Sequence, residues 1–321
     1  MLLTALPACS GKTASASKAT PGAGAFEERG AFSADSAYAY VRRQVEFGPR
    51  TPGSDAHRAC AEWLESELRR HGADTVVALT STARAWDGTT LPVRNILARF
   101  GSVRPSRILL LAHYDTRPVA DHDPDPARRD LPIDGANDGA SGVAVLLEIA
   151  RNLSIAEAPV GVDILLTDCE DSGAPEGEPG GEDSWCLGTQ HFAANLPYSA
   201  ADRPRYGILL DMVGGRGARF HREYFSEQGA PDPTQKVWAM ARRLGLASRF
   251  PDAVGGAITD DHLPLMRAGI PTTDIIENAS AATGSFPATW HTHSDNIDNI
   301  DPAALADAGR TVLNVIYYEK P

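Results

Sequence analysis

The sequence predicts a three-layer α/β/α sandwich around a central sheet that is mostly parallel or mixed. Three observations lead there. Short, continuous apolar runs alternate with helical patterns, as strands covered on both faces by helices require. The chain has 321 residues, 42% hydrophobic and 22% charged, an ordinary globular composition. No break in composition divides it after residue 30, so residues 31–321 read as one domain.

Two helices open the folded part. Ala34 to Phe47 places Ala37, Tyr38, Val41 and Val45 on one face at helical spacing. Phe47-Gly48-Pro49-Arg50-Thr51-Pro52-Gly53 breaks the chain, and Ser54 or Asp55 caps a second helix that presents Cys60, Trp63, Leu64 and Leu68 and stops near Gly72. Apolar runs then occur at Asp74 to Leu79, Val93 to Phe100, Arg107 to Leu111, Val162 to Leu166, Tyr206 to Leu210 and Thr272 to Ile276. Helical patterns lie between or after them at Gly142 to Leu153, Pro233 to Leu244 and Pro302 to Tyr318.

The chemistry sits at the ends of the central runs. One run leads into His113-Tyr114-Asp115, another into Asp168-Cys169-Glu170-Asp171, a third directly into Asp211, and a fourth into Glu277 and a loop ending at Trp290-His291. Ligands of open α/β sheets bind beyond the carboxyl ends of the strands. Four strand ends that deliver His, Asp and Glu to one edge suggest a cation site. Pro132 to Gly142 runs into an apolar helix with Asp138 just before it; alone, Asp138 would read as a helix N-cap. The formal net charge of −12 makes nucleic acid an improbable partner.

Taken in order and spacing, His113-Tyr114-Asp115, Asn137-Asp138-Gly139-Ala140-Ser141-Gly142, Glu170-Asp171, Asp211 and Trp290-His291-Thr292 resemble the zinc aminopeptidase superfamily. Phe47-Gly48-Pro49-Arg50, Asp260-Asp261-His262-Leu263-Pro264-Leu265 and Phe286-Pro287-Ala288-Thr289-Trp290-His291-Thr292 make the chain similar to the glutaminyl cyclases within it. The similarity spans about Phe47 to the C-terminus. Glu170-Asp171 stands where the animal enzymes have Glu-Glu, and with Trp185-Cys186-Leu187-Gly188 downstream it resembles the bacterial branch.

The resemblance implies an enzyme that closes an N-terminal glutamine of a peptide or protein into pyroglutamate and releases ammonia. It implies Asp138, Asp171 and His291 as ligands of one zinc, Glu170 as general base and acid, and Asp211 and Asp260 as supporting acids. Phe286 and Trp290 match the aromatic wall; Trp185 is either an extension of it or a packing residue. The alternative is a two-zinc aminopeptidase, with a second site using His113 and Asp211 and with Asp138 as the bridge. A non-enzymatic relative would have lost the base or ligands, which are all present here. His293 and His262 read as supporting groups, and the Asp121-His122-Asp123 segment as a solvated surface loop. Gly214-Gly215-Arg216-Gly217 reads as a turn.

The first 30 residues read as a lipoprotein-type signal remnant and flexible tether. Leu6-Pro7-Ala8-Cys9 resembles a bacterial lipobox, with Cys9 as a lipid anchor, and Ser10 to Gly30 is rich in Ala, Ser, Gly and Thr. An exported, periplasmic or membrane-anchored bacterial lipoprotein is expected, and a monomer. Cys60 reads as a buried small hydrophobe, while Cys169 and Cys186 flank an acidic loop and are expected to pair in an oxidising compartment.

Overall fold

The structure is a computed structural model that describes residues 1–2, 26–175, 177–280 and 283–321. The lipobox and Cys9 lie outside the described residues. Helices α1 (Ala34–Val45) and α2 (Asp55–Arg70) open the fold, each capped by a serine hydroxyl that accepts a backbone N–H, Ser33 from Ser36 and Ser54 from His57. Strands β1 (Thr75–Arg84), β2 (Thr90–Phe100) and β3 (Arg107–His113) come next, then α3 (Ala140–Ile155) and β4 (Gly161–Thr167). The remainder runs α4 (Leu187–Ala194), β5 (Gly207–Leu210), α5 (Tyr224–Gly229), α6 (Pro231–Arg243), α7 (His262–Arg267), β6 (Thr272–Ile275) and α8 (Pro302–Tyr318). No helix among the described residues is long and apolar enough to cross a membrane.

The six strands form one mixed sheet in the order β1-β2-β4-β3-β5-β6. β1 and β2 form an antiparallel hairpin and β2 runs antiparallel to β4, whereas β4, β3, β5 and β6 are parallel neighbours. The carboxyl ends of those four strands therefore share one edge. The chain leaves β3 to one side for β4 and then crosses to its other side for β5, which opens a crevice at the end of β3.

Period-two alternation divides the core into two layers. Ile108, Leu110, Ala112, Ile164, Leu166, Ile208 and Leu210 pack on one face with residues of α1, α3, α6 and α8. Leu109, Leu111, Leu165 and Leu209 pack on the other with Phe192 of α4 and Leu265 of α7. Both faces are covered, which is why the β3 and β4 runs are continuously buried while edge strand β1 is partly exposed. Truncating a core leucine such as Leu110 to Ala is expected to cost about 2–5 kcal/mol. Close approach of α3 to the sheet depends on Gly142, where a Cβ would collide with the Leu210 carbonyl oxygen.

Candidate active site

Three of the parallel strands hand over a functional group within a few residues of their ends, and the fourth does so through a long loop. β3 ends at His113 and continues to Asp115; β4 leads to Glu170 and Asp171; β5 leads to Asp211; the long connection after β6 brings in Trp290 and His291. Asp138 arrives on the loop before α3. The N-cap of α3 is Gly139 and no side chain caps the helix, so the Asp138 carboxylate is not spent on capping. A Cβ on Gly139 would strike the His113 carbonyl and imidazole, so only glycine lets this loop lie against the end of β3. Cys169, Cys186, Met212 and His291 are the non-glycine residues with positive φ among the described residues, and each sits in or beside this site. Such backbone strain concentrates where a fold must aim particular groups.

The three expected ligands converge. Ligand atoms of Asp138, Asp171 and His291 lie within 4.8 Å of one another, with all three residues buried. Nε2 of His291 is 3.1 Å from Oδ1 of Asp171 and 3.8 Å from Oδ2 of Asp138. His113, Asp138 and Asp211 form an adjoining group, in which Nε2 of His113 is 2.9 Å from Oδ1 of Asp138 and 3.2 Å from Oδ1 of Asp211. Both oxygens of Asp171 are buried without a hydrogen-bond donor. Two carboxylates and an imidazole are a donor set suited to zinc, and three protein ligands leave a position open. The residues fit that ion.

The acids of the site divide: Glu170, Asp171, Asp211 and Asp260 are raised, whereas Asp138, against its burial, is held below the usual carboxylate range by the His113 imidazole. Burial pushes Glu170 well above the usual carboxylate range, with Asp260 and Asp171 adding to it against His113. Burial and then Asp138 push Asp171 up to about 6. Burial with Asp138 raises Asp211, and burial with Asp211 and Asp261 raises Asp260 far more. Burial opposes charge on His291, yet the Asp171 and Asp121 carboxylates carry it up to about 9.

These groups line a cleft of about 290 Å³ whose walls include Asp138, Glu170, Asp171, Asp211, Asp260 and His291. Trp185, Phe286 and Trp290 line it as well, half-buried, so Trp185 belongs to the cleft wall. The Phe286 and Trp290 rings are 4.6 Å apart, Trp290 stacks on His291 at 3.7 Å, and Trp185 stacks more loosely at 5.9 Å. Carboxylate oxygens of Glu170 and Asp260 and the Cys186 sulfur lie within 4.8 Å of one another. Glu277 does not line this cleft; its carboxylate lies toward Gly215.

Supporting residues escaped the sequence reading. Asp115 accepts the backbone N–H groups of Glu170 and Asp171, both at 3.2 Å. Asp295 accepts those of Asn137 at 2.8 Å and Asp138 at 3.1 Å. Asn137 accepts the N–H of Gly214 at 2.8 Å, which ties the glycine turn to the same loop. The Asp121-His122-Asp123 segment, read from sequence as a solvated loop, packs instead against the His291 loop. Asp121 is 3.2 Å from Nδ1 of His291, Asp123 is buried and 2.8 Å from Nδ1 of His293, and the exposed His122 ring contacts Trp290. His262 is a buried supporting group 3.1 Å from Glu223.

The expected Cys169–Cys186 bridge is not formed. Both thiols are free and buried, because each points to its own acceptor, the Pro92 carbonyl for Cys169 at 3.5 Å and Oε1 of Glu170 for Cys186 at 3.3 Å. Cys60 is fully buried as a small apolar residue.

A mixed sheet that gathers carboxylates and two histidines at the carboxyl ends of its parallel strands defines a zinc-peptidase class of fold. Residues 95–316 match Peptidase family M28, and the chain belongs to that family. Within it, the chain is similar to the bacterial glutaminyl cyclases. The structure of Bacteroides thetaiotaomicron glutaminyl cyclase bound to N-acetylhistamine is 48% identical, with a TM-score of 0.87 over 90% of this chain and 99% of that one. A Zn-dependent exopeptidase from Parabacteroides distasonis is also 48% identical, with a TM-score of 0.86 over 90% and 99%. The Bos taurus glutaminyl-peptide cyclotransferase is 24% identical over 301 residues, 84% of this chain and 78% of its own. The animal enzyme thus stands much further away, and zinc is the ion the family implies.

Proposed function

We propose that this chain is a glutaminyl-peptide cyclotransferase that converts an N-terminal glutamine of a peptide or protein into pyroglutamate and releases ammonia. The observation that carries this reading is the pairing of Glu170 with Asp260, two buried acids with carboxylate oxygens within 4.8 Å of each other, beside the Asp138, Asp171 and His291 group. Likeness to the Bacteroides cyclase over nearly its whole length supports it.

The substrate brings both nucleophile and electrophile. Its α-amine attacks the γ-carboxamide carbon of the same residue; a C–N bond forms within the ring and the bond to the departing nitrogen breaks. An α-amine with a pKa of about 7.7–8.0 is largely protonated at neutral pH, so a base must take its proton. Glu170 is assigned that proton and later returns it to the leaving nitrogen. Asp260 and Asp211 hold the amine side of the substrate, and Phe286, Trp290 and Trp185 fold its side chain back on itself, which gives the positioning advantage of an intramolecular reaction. Asp138, Asp171 and His291 would hold one zinc, whose chemistry when bound is Lewis-acid stabilisation of the γ-carbonyl oxygen.

The competing reading is a two-zinc aminopeptidase, favoured by the adjoining His113, Asp138 and Asp211 group. A peptide beginning in Gln separates the two: the cyclase releases ammonia and keeps every residue, whereas the aminopeptidase releases the first one.

A further inference from the structure

The loops that present Asp138 and Asp171 are held in the same way. In each, a buried aspartate accepts the backbone N–H groups at the ligand and a buried arginine donates to neighbouring carbonyls. For Asp138 the pair is Asp295 and Arg50. Arg50 donates from Nε to the Tyr114 carbonyl at 3.0 Å, from Nη1 to Asp134 at 2.7 Å and from Nη2 to Gly135 at 2.7 Å. For Asp171 the pair is Asp115 and Arg117, whose Nη1 donates to the carbonyls of Asp171 at 3.1 Å and Gly173 at 2.9 Å. Arg50 and Arg117 are fully buried. Arg117 also pairs with the Asp121 carboxylate at 2.6 Å, whereas the three acceptors of Arg50 are all backbone carbonyls. A fully buried guanidinium spent on carbonyls is costly to keep unless that geometry matters.

We infer that Arg50 with Asp295, and Arg117 with Asp115, are positioning residues that preset the separation of the Asp138 and Asp171 carboxylates before metal arrives. The inference rests on Asp138 and Asp171 as zinc ligands. Backbone clamps hold both loops without using the ligand carboxylates as caps, so the Asp138 carboxylate meets the imidazole of His113, 2.9 Å away, and both oxygens of Asp171 keep no hydrogen-bond donor. The Tyr114 contact links the two halves, since Arg50 grips the same His113-Tyr114-Asp115 strand end that carries Asp115, the aspartate of the other clamp. Arg50 does not line the cleft, so it acts on chemistry only through the loop it holds. Lysine is a point charge and cannot fork across three carbonyls. Asparagine at 295 would turn an NH₂ group toward one of the two N–H donors that Asp295 accepts.

The test is zinc affinity of the purified full chain, measured by competition with a chromophoric chelator, together with the visible spectrum of the cobalt-loaded protein. Arg50→Lys and Asp295→Asn are each expected to weaken zinc about 10–100-fold and to change the cobalt bands. Arg107→Lys is the control: Arg107 is equally buried but pairs with Asp163 away from the cleft, and its loss should lower thermal stability while zinc affinity and the cobalt spectrum stay put. Unchanged zinc affinity and cobalt bands in Arg50→Lys and Asp295→Asn would overturn the inference. If Arg50→Lys does not fold, Asp295→Asn decides by the same criteria. Asp138→Asn is run beside them: zinc kept there would show the ligand assignment itself to be wrong, whereas zinc lost there but kept in both clamp variants would sink only the clamp.

Discussion

Nδ1 of His291 stands 3.2 Å from Oδ1 of Asp121, a residue 170 positions earlier in the chain. That contact fixes which ring nitrogen is left to face the ligand group, since the opposite nitrogen, Nε2, is the one 3.1 Å from Asp171. A carboxylate on the far nitrogen both orients an imidazole and makes it a better metal ligand. Asp121→Ala is therefore expected to weaken zinc about 10–100-fold, while His291→Ala should lose the metal outright. Metal analysis after dialysis checks both; full occupancy in His291→Ala would break the ligand assignment.

Glu170→Gln removes the base but neither of the expected carboxylate ligands. Zinc content should stay normal while turnover falls about 10²–10⁴-fold, the usual contribution of a positioned general base. Steady-state rates on a Gln peptide, paired with metal analysis, decide it. Near-normal turnover would take Glu170 out of its role.

The zinc-free protein should lose stability as pH rises. Folded Asp171 keeps its proton to about pH 6, against 3.8 for an unperturbed carboxyl, and folded His291 keeps its proton to about pH 9, against 6.5. In both cases the folded state binds more protons than the unfolded chain, so the stabilisation is full below the unfolded value and is lost through the folded one. Zinc needs these groups deprotonated and stabilises most where they already are. The gap in melting temperature between zinc-loaded and zinc-free protein should therefore widen from about pH 5 to about pH 8. His71, which burial and Arg70 hold down at about 4, has the opposite sign but titrates in both forms and cancels in the difference. Differential scanning calorimetry across that range tests the trend, and a gap that narrows with pH would contradict it.

Cys60, Cys169 and Cys186 should titrate as free thiols in denaturant and resist modification in the native protein, because all three are buried. Titration with a thiol reagent in the two states checks this; a missing pair in denaturant would restore the bridge between Cys169 and Cys186.

The catalytic edge was legible in the sequence because each central apolar run ends abruptly in an acid or a histidine. Parallel pairing of β4, β3, β5 and β6 turns those ends into neighbours, and ligand atoms of Asp138, Asp171 and His291 come within 4.8 Å of one another. Short helices such as α5 and α7, six residues each, carry too few turns to show a period. Asp115, Asp121 and Asp295 were opaque for another reason: their work is done on backbone or rings that are remote in sequence. One signal was present. Asp121 and Asp123 share the two-residue spacing of His291 and His293, and the two pairs meet in register. The thiols misled because a flanked loop fixes proximity but not the direction of a side chain, and Cys186 turns to Glu170.

The most direct measurement tracks a short peptide beginning in Gln, incubated with the zinc-supplied protein, by mass spectrometry and ammonia release, with a matched Leu peptide alongside. A cyclotransferase is expected to remove ammonia from the Gln peptide alone, with the activity abolished by a chelator and restored by zinc. Release of the first residue from either peptide would contradict that assignment and make this chain an aminopeptidase.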